Sequence, residues 1–472
     1  MKLPSELLAS LEGVAGFNKE AFVAVHEQSP SPTSIRFNTA KPATANRQPA
    51  TGNAATHDSR FTIANAVPWC STGFYLSQRP SFTFDPLFHA GCYYVQEASS
   101  MFLEQALRQL LDLSQPLKVL DLCAAPGGKS THIQSLISDE SLLVSNEVIK
   151  PRSLVLTDNI IKWGCRNVFV SNNDPKAFQK LSGYFDVMVV DAPCSGSGLF
   201  RKDEEAISEW SLNNVALCSQ RQQRILADAL PCLKEDGLLV YSTCSYSAEE
   251  DEAIADWLVQ EMGLENLSLN VDGFEGIVET VSPQTASRGY RFYPDKIKGE
   301  GFFLACFRKK QRESTGKMRT VKREAVSTKE QKIVGEWMAT EGFELLRFRE
   351  NIIALRQVML NDFAALQPLL NLQYAGIQVG EVIKEKLVPH HALAQSTVIK
   401  EDVPFTDLSY DDAIRYLQRQ ELSVLPQTPG WQLARYEGHN IGWMNVLKTR
   451  VNNYYPKELR ILKRQNNSAF EK

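Results

Sequence analysis

Between His89 and Lys310, short apolar runs alternate with amphipathic stretches. The run LKVLDLC (Leu117–Cys123) predicts a strand ending at a glycine turn, and GKSTHIQSLI behind it opens a helix. LLVSNEV (Leu142–Val148) is the next predicted strand. The helix PRSLVLTDNIIKWG follows, with Pro151 in its first turn and Gly164 as its stop. NVFVSNND predicts a third strand. FDVMVVDAP (Phe185–Pro193) predicts a fourth, so uniformly apolar that both its faces should be covered. GLLVYSTCS (Gly237–Ser245) and GFFLACFRK (Gly301–Lys309) are a fifth and a late strand. SAEEDEAIADWLVQ reads as a helix opened by a serine cap and a capping-box glutamate. Strands alternating with helices define an α/β unit: a parallel sheet wrapped on both sides, with its site at the strands' carboxyl ends.

The flanks have a different rhythm. A short amphipathic helix is expected at Ser5–Leu11, and SPTSIRFNTAK (Ser31–Lys41) predicts a strand entered from a proline turn. Residues 42–58, rich in Ala, Thr, Asn and Pro, predict a loop, and VPWCSTGFYL predicts strand and turn. The basic stretch Arg308–Lys332 reads as a solvated linker, with an RNA-touching tail as the alternative. A small mixed region runs to about Lys386. The last segment, NIGWMNVLKTRVNNYYPKELRILKR, mixes cations with Trp443, Tyr454 and Tyr455. Cations can position phosphates and aromatic faces can stack on bases, but a buried β-barrel edge also uses Trp and Tyr.

Length and charge sharpen this layout. At 472 residues the chain exceeds one ordinary domain, and a prior of roughly 150 residues each suggests about three. The net charge of −4 means that any nucleic-acid surface must come from local patches. Nine cysteines without CxxC spacing argue against a zinc ribbon or a disulfide framework, so no metal is expected. Free thiols suit a reducing cytoplasm. The first residues lack the long apolar run of a signal peptide, and no apolar stretch reaches the roughly 20 residues a bilayer span needs.

The loop DLCAAPGGKS (Asp121–Ser130) fails two phosphate motifs. Cys123 stands where a Walker A loop needs glycine, and only Gly127 and Gly128 remain of a GxGxxG pattern. A strand, a tight turn and a helix N-terminus survive, whose free amides can meet an anionic group such as a methionine-type carboxylate. Glu147, Asp174 and Asp191 each follow a predicted strand. Singly, each reads as a cap or a surface charge. Together, after this loop, they suit S-adenosylmethionine, whose sulfonium is cationic.

Two thiols decide the chemistry. Amine-methylating enzymes often carry Asp/Asn-Pro-Pro and an aromatic after the fourth strand; here the chain reads Asp191-Ala192-Pro193-Cys194. Cys244 follows the fifth strand. The C5 atom of cytosine is a poor nucleophile, and a thiolate adding to C6 makes C5 enamine-like, splitting one hard step into easier ones. The attacking species must be the thiolate. Cys123, Cys165, Cys218, Cys232 and Cys306 read as small core residues. The residues alone do not rank Cys194 against Cys244.

The motifs VQEASSMF (Val95–Phe102), DLCAAPGGKS, SNE with KPR, DAPCSGSG with Arg201 and Lys202, YSTCS with the following EEDEA, and FYPDKIKGEGFFLA occur in this order. In this combination the chain resembles the NOL/NOP/Sun family of RNA cytosine-5 methyltransferases. SIRFNT and IGWMN…NNYYPKELR extend the likeness to both ends. The resemblance implies a Rossmann-like class I S-adenosylmethionine-dependent methyltransferase sheet, a small N-terminal α+β domain and a C-terminal PUA-like RNA-binding domain. The expected boundaries are 1–88 (RNA-binding α+β), 89–311 (catalytic), 312–386 (linker and small domain) and 387–472 (PUA-like). It further implies attack by Cys244 on C6, product release helped by Cys194, and Asp191 at the cytosine edge. The implied cofactor positions are Cys123, Ala124, Ala125, Pro126, Gly127, Gly128, Lys129, Glu147, Asp174 and Asp191. The implied substrate is a cytosine of small-subunit ribosomal RNA; another RNA, or a non-catalytic assembly role, is the alternative. Two departures stand out. The family's Asp-Gly-Arg reads Asp174-Pro175-Lys176, and its Arg-Leu-Lys-Asn reads Arg450-Val451-Asn452-Asn453, one cation fewer.

Overall fold

The computed structural model describes residues 3–42, 61–312, 321–423 and 426–463. Beyond its first residue, the loop expected over 42–58 lies outside them, as does 313–320 of the basic stretch. The expected N-terminal helix forms at Ser5–Ser10, and a second one, Lys19–Gln28, was not anticipated. Strands β1 (Ser34–Phe37), β2 (Ile63–Ala66), β3 (Gly73–Leu76) and β4 (Tyr93–Val95) form an antiparallel sheet in the order β2-β3-β1-β4. This sheet therefore reaches past the boundary expected at 88.

Arg36 on β1 rivets that sheet to the next domain. Its side chain is fully buried, donates to Gln96 Oε1 (2.9 Å) and Thr131 Oγ1 (2.6 Å), and lies over the Trp163 ring. Burial lowers the Arg36 guanidinium to about 10.

The catalytic sheet holds β5 (Lys118–Asp121), β6 (Leu142–Asn146), β7 (Val168–Ser171), β8 (Phe185–Asp191), β9 (Leu233–Thr243), β10 (Glu265–Leu267), β11 (Val278–Val281), β12 (Arg288–Phe292) and β13 (Phe302–Arg308). Strands β5 to β9 pair in parallel in the order β9-β8-β5-β6-β7. The antiparallel β13 continues the sheet beyond β9. Alternation along each strand divides the core. Val119, Val187, Val189 and Val240 pack on one face, and Leu120, Met188, Val190 and Leu239 on the other. Strand order reverses direction at β5, which opens a crevice at the carboxyl ends of β5 and β8.

Three sequence expectations need correction. The helix after YSTCS begins at Glu252, not at the serines, because the preceding acids are engaged elsewhere. Asp251 accepts from Thr243 Oγ1 (2.6 Å), Arg291 forms a buried pair with Glu252, and Glu250 turns toward the thiol loops. The basic stretch is not solvated throughout. Lys309 is buried and donates to the carbonyls of Leu230 and Leu233, while Ser327 caps the helix Thr328–Gly335.

The third correction concerns the region beyond it, which is not separate from the catalytic sheet. It contains β14 (Phe343–Phe348), β15 (Asn351–Arg356), β16 (Leu372–Ala375), β17 (Ile377–Ile383) and β18 (Lys386–Pro389). Four of these make their own sheet, but β16 pairs antiparallel with β7 and becomes the edge strand of the catalytic sheet. Strand β18 also crosses the boundary expected at 386.

The C-terminal sheet runs β19 (Phe405–Asp407), β20 (Gly430–Tyr436), β21 (His439–Val446), β22 (Val451–Asn453). Trp443 on β21 is fully buried and donates to the His390 carbonyl, and Tyr455 is buried as well. Of the three aromatics singled out in the sequence, only Tyr454 faces solvent, at 41 % exposure, with its ring 4.3 Å from that of Trp431. Among the described residues, no helix is long and apolar enough to cross a membrane.

Candidate active site

The parallel register of β8 and β9 sets Asp191 opposite Ser242. The chains then leave the sheet side by side. Ala192 N–H donates to the Ser242 carbonyl, and Gly198 N–H donates to the Cys244 carbonyl. A Cβ at Gly198 would meet the Gly301 carbonyl oxygen at 2.5 Å and that of Cys244 at 2.8 Å, so this close approach requires glycine. The result is a pair of thiols with Cys194 Sγ 3.0 Å from Cys244 Sγ.

Hydrogen bonding to Cys244 and burial raise the Cys194 thiol well above its usual range, with a further push from the nearby Glu250 carboxyl. The sulfurs are within hydrogen-bond reach of each other, and either can be the donor.

Asp191 faces both halves of the site. One carboxylate oxygen accepts from Ser242 Oγ (2.9 Å), and the other pairs with Lys129 Nζ (2.7 Å). The cofactor loop is thus tied to the strand that carries the thiols. Gly127 has φ +111°, a left-handed turn into the helix Gly128–Leu136. Behind the loop, Arg152 donates to the Ala125 carbonyl and Asn159 to that of Pro126. Cys123 lies beside Asp121, Asp191 and Glu147, and burial pushes its thiol far up.

The expected acids divide. Glu147 is buried at the end of β6, accepting from Ile149 N–H (2.9 Å) and facing Arg152. Asp174 stands apart: it caps the 3-10 helix Pro175–Leu181, accepts from Lys176 N–H and faces Arg224 in solvent. The proline and lysine of this chain's departure from the family pattern form that cap. Sequence reasoning overlooked Asp121. It ends β5, is fully buried, accepts from Ser130 Oγ (2.6 Å), and its Oδ1 has no hydrogen-bond partner. Burial raises it to about 7, and the charges of Asp191 and Glu147 add to the rise. The usable signal was its place as the first residue of the loop motif. An orphaned buried carboxylate oxygen beside two more carboxylates suits a cationic ligand, so these residues fit S-adenosylmethionine. One other buried group, Cys70, Glu104 and His132, gathers three potential metal ligands, but its carboxylate is already held by Arg108 and Ser71 N–H.

Three family models match. Residues 108–308 match "16S rRNA methyltransferase RsmB/F", residues 3–98 the "N-terminal domain of 16S rRNA methyltransferase RsmF", and residues 403–461 the "Methyltransferase RsmF PUA domain". The chain belongs to the RsmB/F family of 16S rRNA methyltransferases. It is 31% identical over 484 aligned positions to ribosomal RNA small subunit methyltransferase F of Vibrio vulnificus, covering 97% of both chains. The protein of that name from Aeromonas salmonicida is 31% identical, over 84% of this chain and 85% of the relative. Among solved structures, a methyltransferase homolog from Pyrococcus horikoshii is 28% identical, with TM-score 0.50 over 65% of this chain and all of that one. The NSun6 structure from the same organism, with SFG, shares the fold at TM-score 0.51 and 19% identity, over 65% of this chain and 98% of that one. The RsmB/F assignment carries with it the class I methyltransferase fold, dependence on S-adenosylmethionine and a C-terminal PUA domain.

Proposed function

We propose that the protein methylates C5 of a cytosine in 16S ribosomal RNA, within the small ribosomal subunit and in the cytoplasm, through a covalent adduct at Cys244. The observation that carries the mechanism is the thiol pair, 3.0 Å apart, at the ends of β8 and β9. Cys123 to Lys129, with Asp121, Glu147 and Asp191, would hold S-adenosylmethionine, which would supply the methyl group. Asp174 is retained as a contact for the adenosine end.

Cys244 acts first. Its sulfur, as the thiolate, bonds to C6 of the base while Asp191, paired with Lys129, accepts from the polar edge of the ring. The electron pair displaced by this bond raises the nucleophilicity of C5, which takes the methyl group. Cys194, its own proton released to solvent, then serves as a thiolate base and takes the C5 hydrogen. As that proton leaves, the C6–S bond breaks, its electron pair returns to Cys244, and the aromatic ring is restored. The thiol addition takes no metal at any step.

The test uses purified protein, ribosomal RNA or small subunits, and labelled cofactor, followed by mapping of 5-methylcytosine and a denaturing gel for protein–RNA adducts. Cys244→Ala should give neither product nor adduct, whereas Cys194→Ala should accumulate the adduct. An adduct formed by the Cys244 variant would reverse the two roles. A methyl group found on nitrogen or ribose would end the proposal.

A further inference from the structure

The serines that follow the two thiols converge on one carboxyl. Glu250 Oε2 accepts from Ser195 Oγ (2.5 Å) and from Ser245 Oγ (2.7 Å). Its Oε1 accepts from Ser195 N–H (2.8 Å) and from Gln222 Nε2 (3.1 Å). Gln222 also lies 3.2 Å from the Pro193 carbonyl, so the residue before Cys194 is drawn into the same network. Tyr241, on β9, meets both partners: its hydroxyl lies 3.0 Å from Gln222 Oε1 and 2.7 Å from the Glu250 carbonyl.

Glu250 is fully buried, and burial raises it above the ordinary carboxyl range while its donors pull it back down. An acid this deep is costly unless its oxygens are satisfied, and here four donors satisfy them. It makes no hydrogen bond to either sulfur and does not take part in the cofactor loop. What it joins are the two loops themselves, one residue beyond each thiol. The bend that aims it inward is fixed from the other side, where Asp251 meets Thr243 and Arg291.

We propose that Glu250 is a positioning residue: a carboxyl clamp that sets the separation of Cys194 and Cys244, so that one sulfur can bond to C6 while the other reaches the C5 hydrogen. This rests on the thiol chemistry proposed above. The clamp needs bridging rather than charge. A glutamine amide could accept from Ser195 N–H and Gln222 through its oxygen, and donate to both serine hydroxyls, which can reverse their own donation.

Two readouts test it. The first is diamide-driven formation of a Cys194–Cys244 disulfide, followed by peptide mass mapping. Two thiols lose two protons and two electrons, and diamide is reduced to the hydrazine; the rate reports sulfur separation whether or not the protein methylates RNA. The second is steady-state methylation with cofactor affinity measured separately. Glu250→Ala should slow disulfide trapping several-fold and lower kcat by about 100-fold, the scale of a misplacement of about 1 Å, with the cofactor Kd unchanged. Glu250→Gln should stay near wild type in both. If Glu250→Ala does not fold, the double variant Ser195→Ala, Ser245→Ala removes the clamp arms and should show the same two losses. Wild-type trapping and kcat in Glu250→Ala, or in the folded serine double variant, would overturn the proposal. So would Glu250→Gln failing as badly as Glu250→Ala, since the requirement would then be for charge. Normal trapping losses with no methylation by the wild type would keep the clamp and refute the reaction instead.

Discussion

The carboxyl ends of β8 and β9 and the hairpin β20–β21 both carry conspicuous residues, and the structure treats them in opposite ways. At the thiol end, the two cysteines marked by sequence stand together in the crevice, 3.0 Å apart. In the C-terminal sheet, Trp443 and Tyr455 turn inward and only Tyr454 remains available to a ligand. A residue just past a parallel strand has left the ladder and has nothing to pack beneath it, so its side chain is free for chemistry. A residue within an antiparallel strand alternates between faces, and one step in the alternation moves an indole from solvent to core.

The strongest way to break this contrast is Cys244→Ala. It should lower methylation by about a thousand-fold or more, as loss of a covalent nucleophile does, without lowering the melting temperature by more than a few degrees. Trp443→Ala should do the reverse. A fully buried Trp that also loses its bond to the His390 carbonyl should cost about 3–5 kcal/mol of stability by urea denaturation, while the isolated methyl-transfer step stays intact.

Acid should separate the same two regions. Burial holds His89 and His390 at about 4 and His391 at about 3, below the ordinary 6.5. His89 Nδ1 lies 3.1 Å from the Tyr455 hydroxyl, and the His391 ring packs edge-on to Tyr455. As pH falls below 6.5, the unfolded chain takes up protons that the folded one resists. The stability tied to these neutral imidazoles is therefore lost progressively between 6.5 and about 3. Hydrogen exchange should show the Tyr454–Glu458 segment opening in that window before β8 and β9 do.

Tyr454→Ala is the smallest and most discriminating change. Stability should move by less than about 0.5 kcal/mol, as at other surface positions. If a base stacks there, RNA binding should weaken by about 1–3 kcal/mol, seen as a higher KM with kcat unchanged. An unchanged KM would leave the exposed Tyr454–Trp431 pair without a part in RNA binding.

The legibility of the chain follows the same divide. The existence and succession of β5 to β9 were readable because each holds a short apolar run closed by a turn signal, although β9 begins at Leu233, ahead of the expected Gly237. Cys194, Cys244 and the glycine loop were readable because strand-end positions map directly onto the crevice. The late start of the helix Glu252–Gln260 was not, because SAEED satisfies a helix-capping pattern while Glu250 and Asp251 have better partners in Ser195, Ser245, Thr243 and Arg291. Strand β16 was not, because an edge strand is recruited by the unpaired backbone of β7. Asp121 was overlooked because what marks it is an oxygen left without a hydrogen-bond partner, and partners are known only in space.

By itself, then, the sequence determined an alternating α/β core, a glycine turn at a helix N-terminus and two thiols after neighbouring strands, all properties of residues close together in the chain. Only the tertiary structure decided how closely the two thiols approach, which acids share a field and which aromatics are core. Those outcomes depend on burial and on contacts between residues far apart in the chain, where Coulomb energy and desolvation act through distance in space.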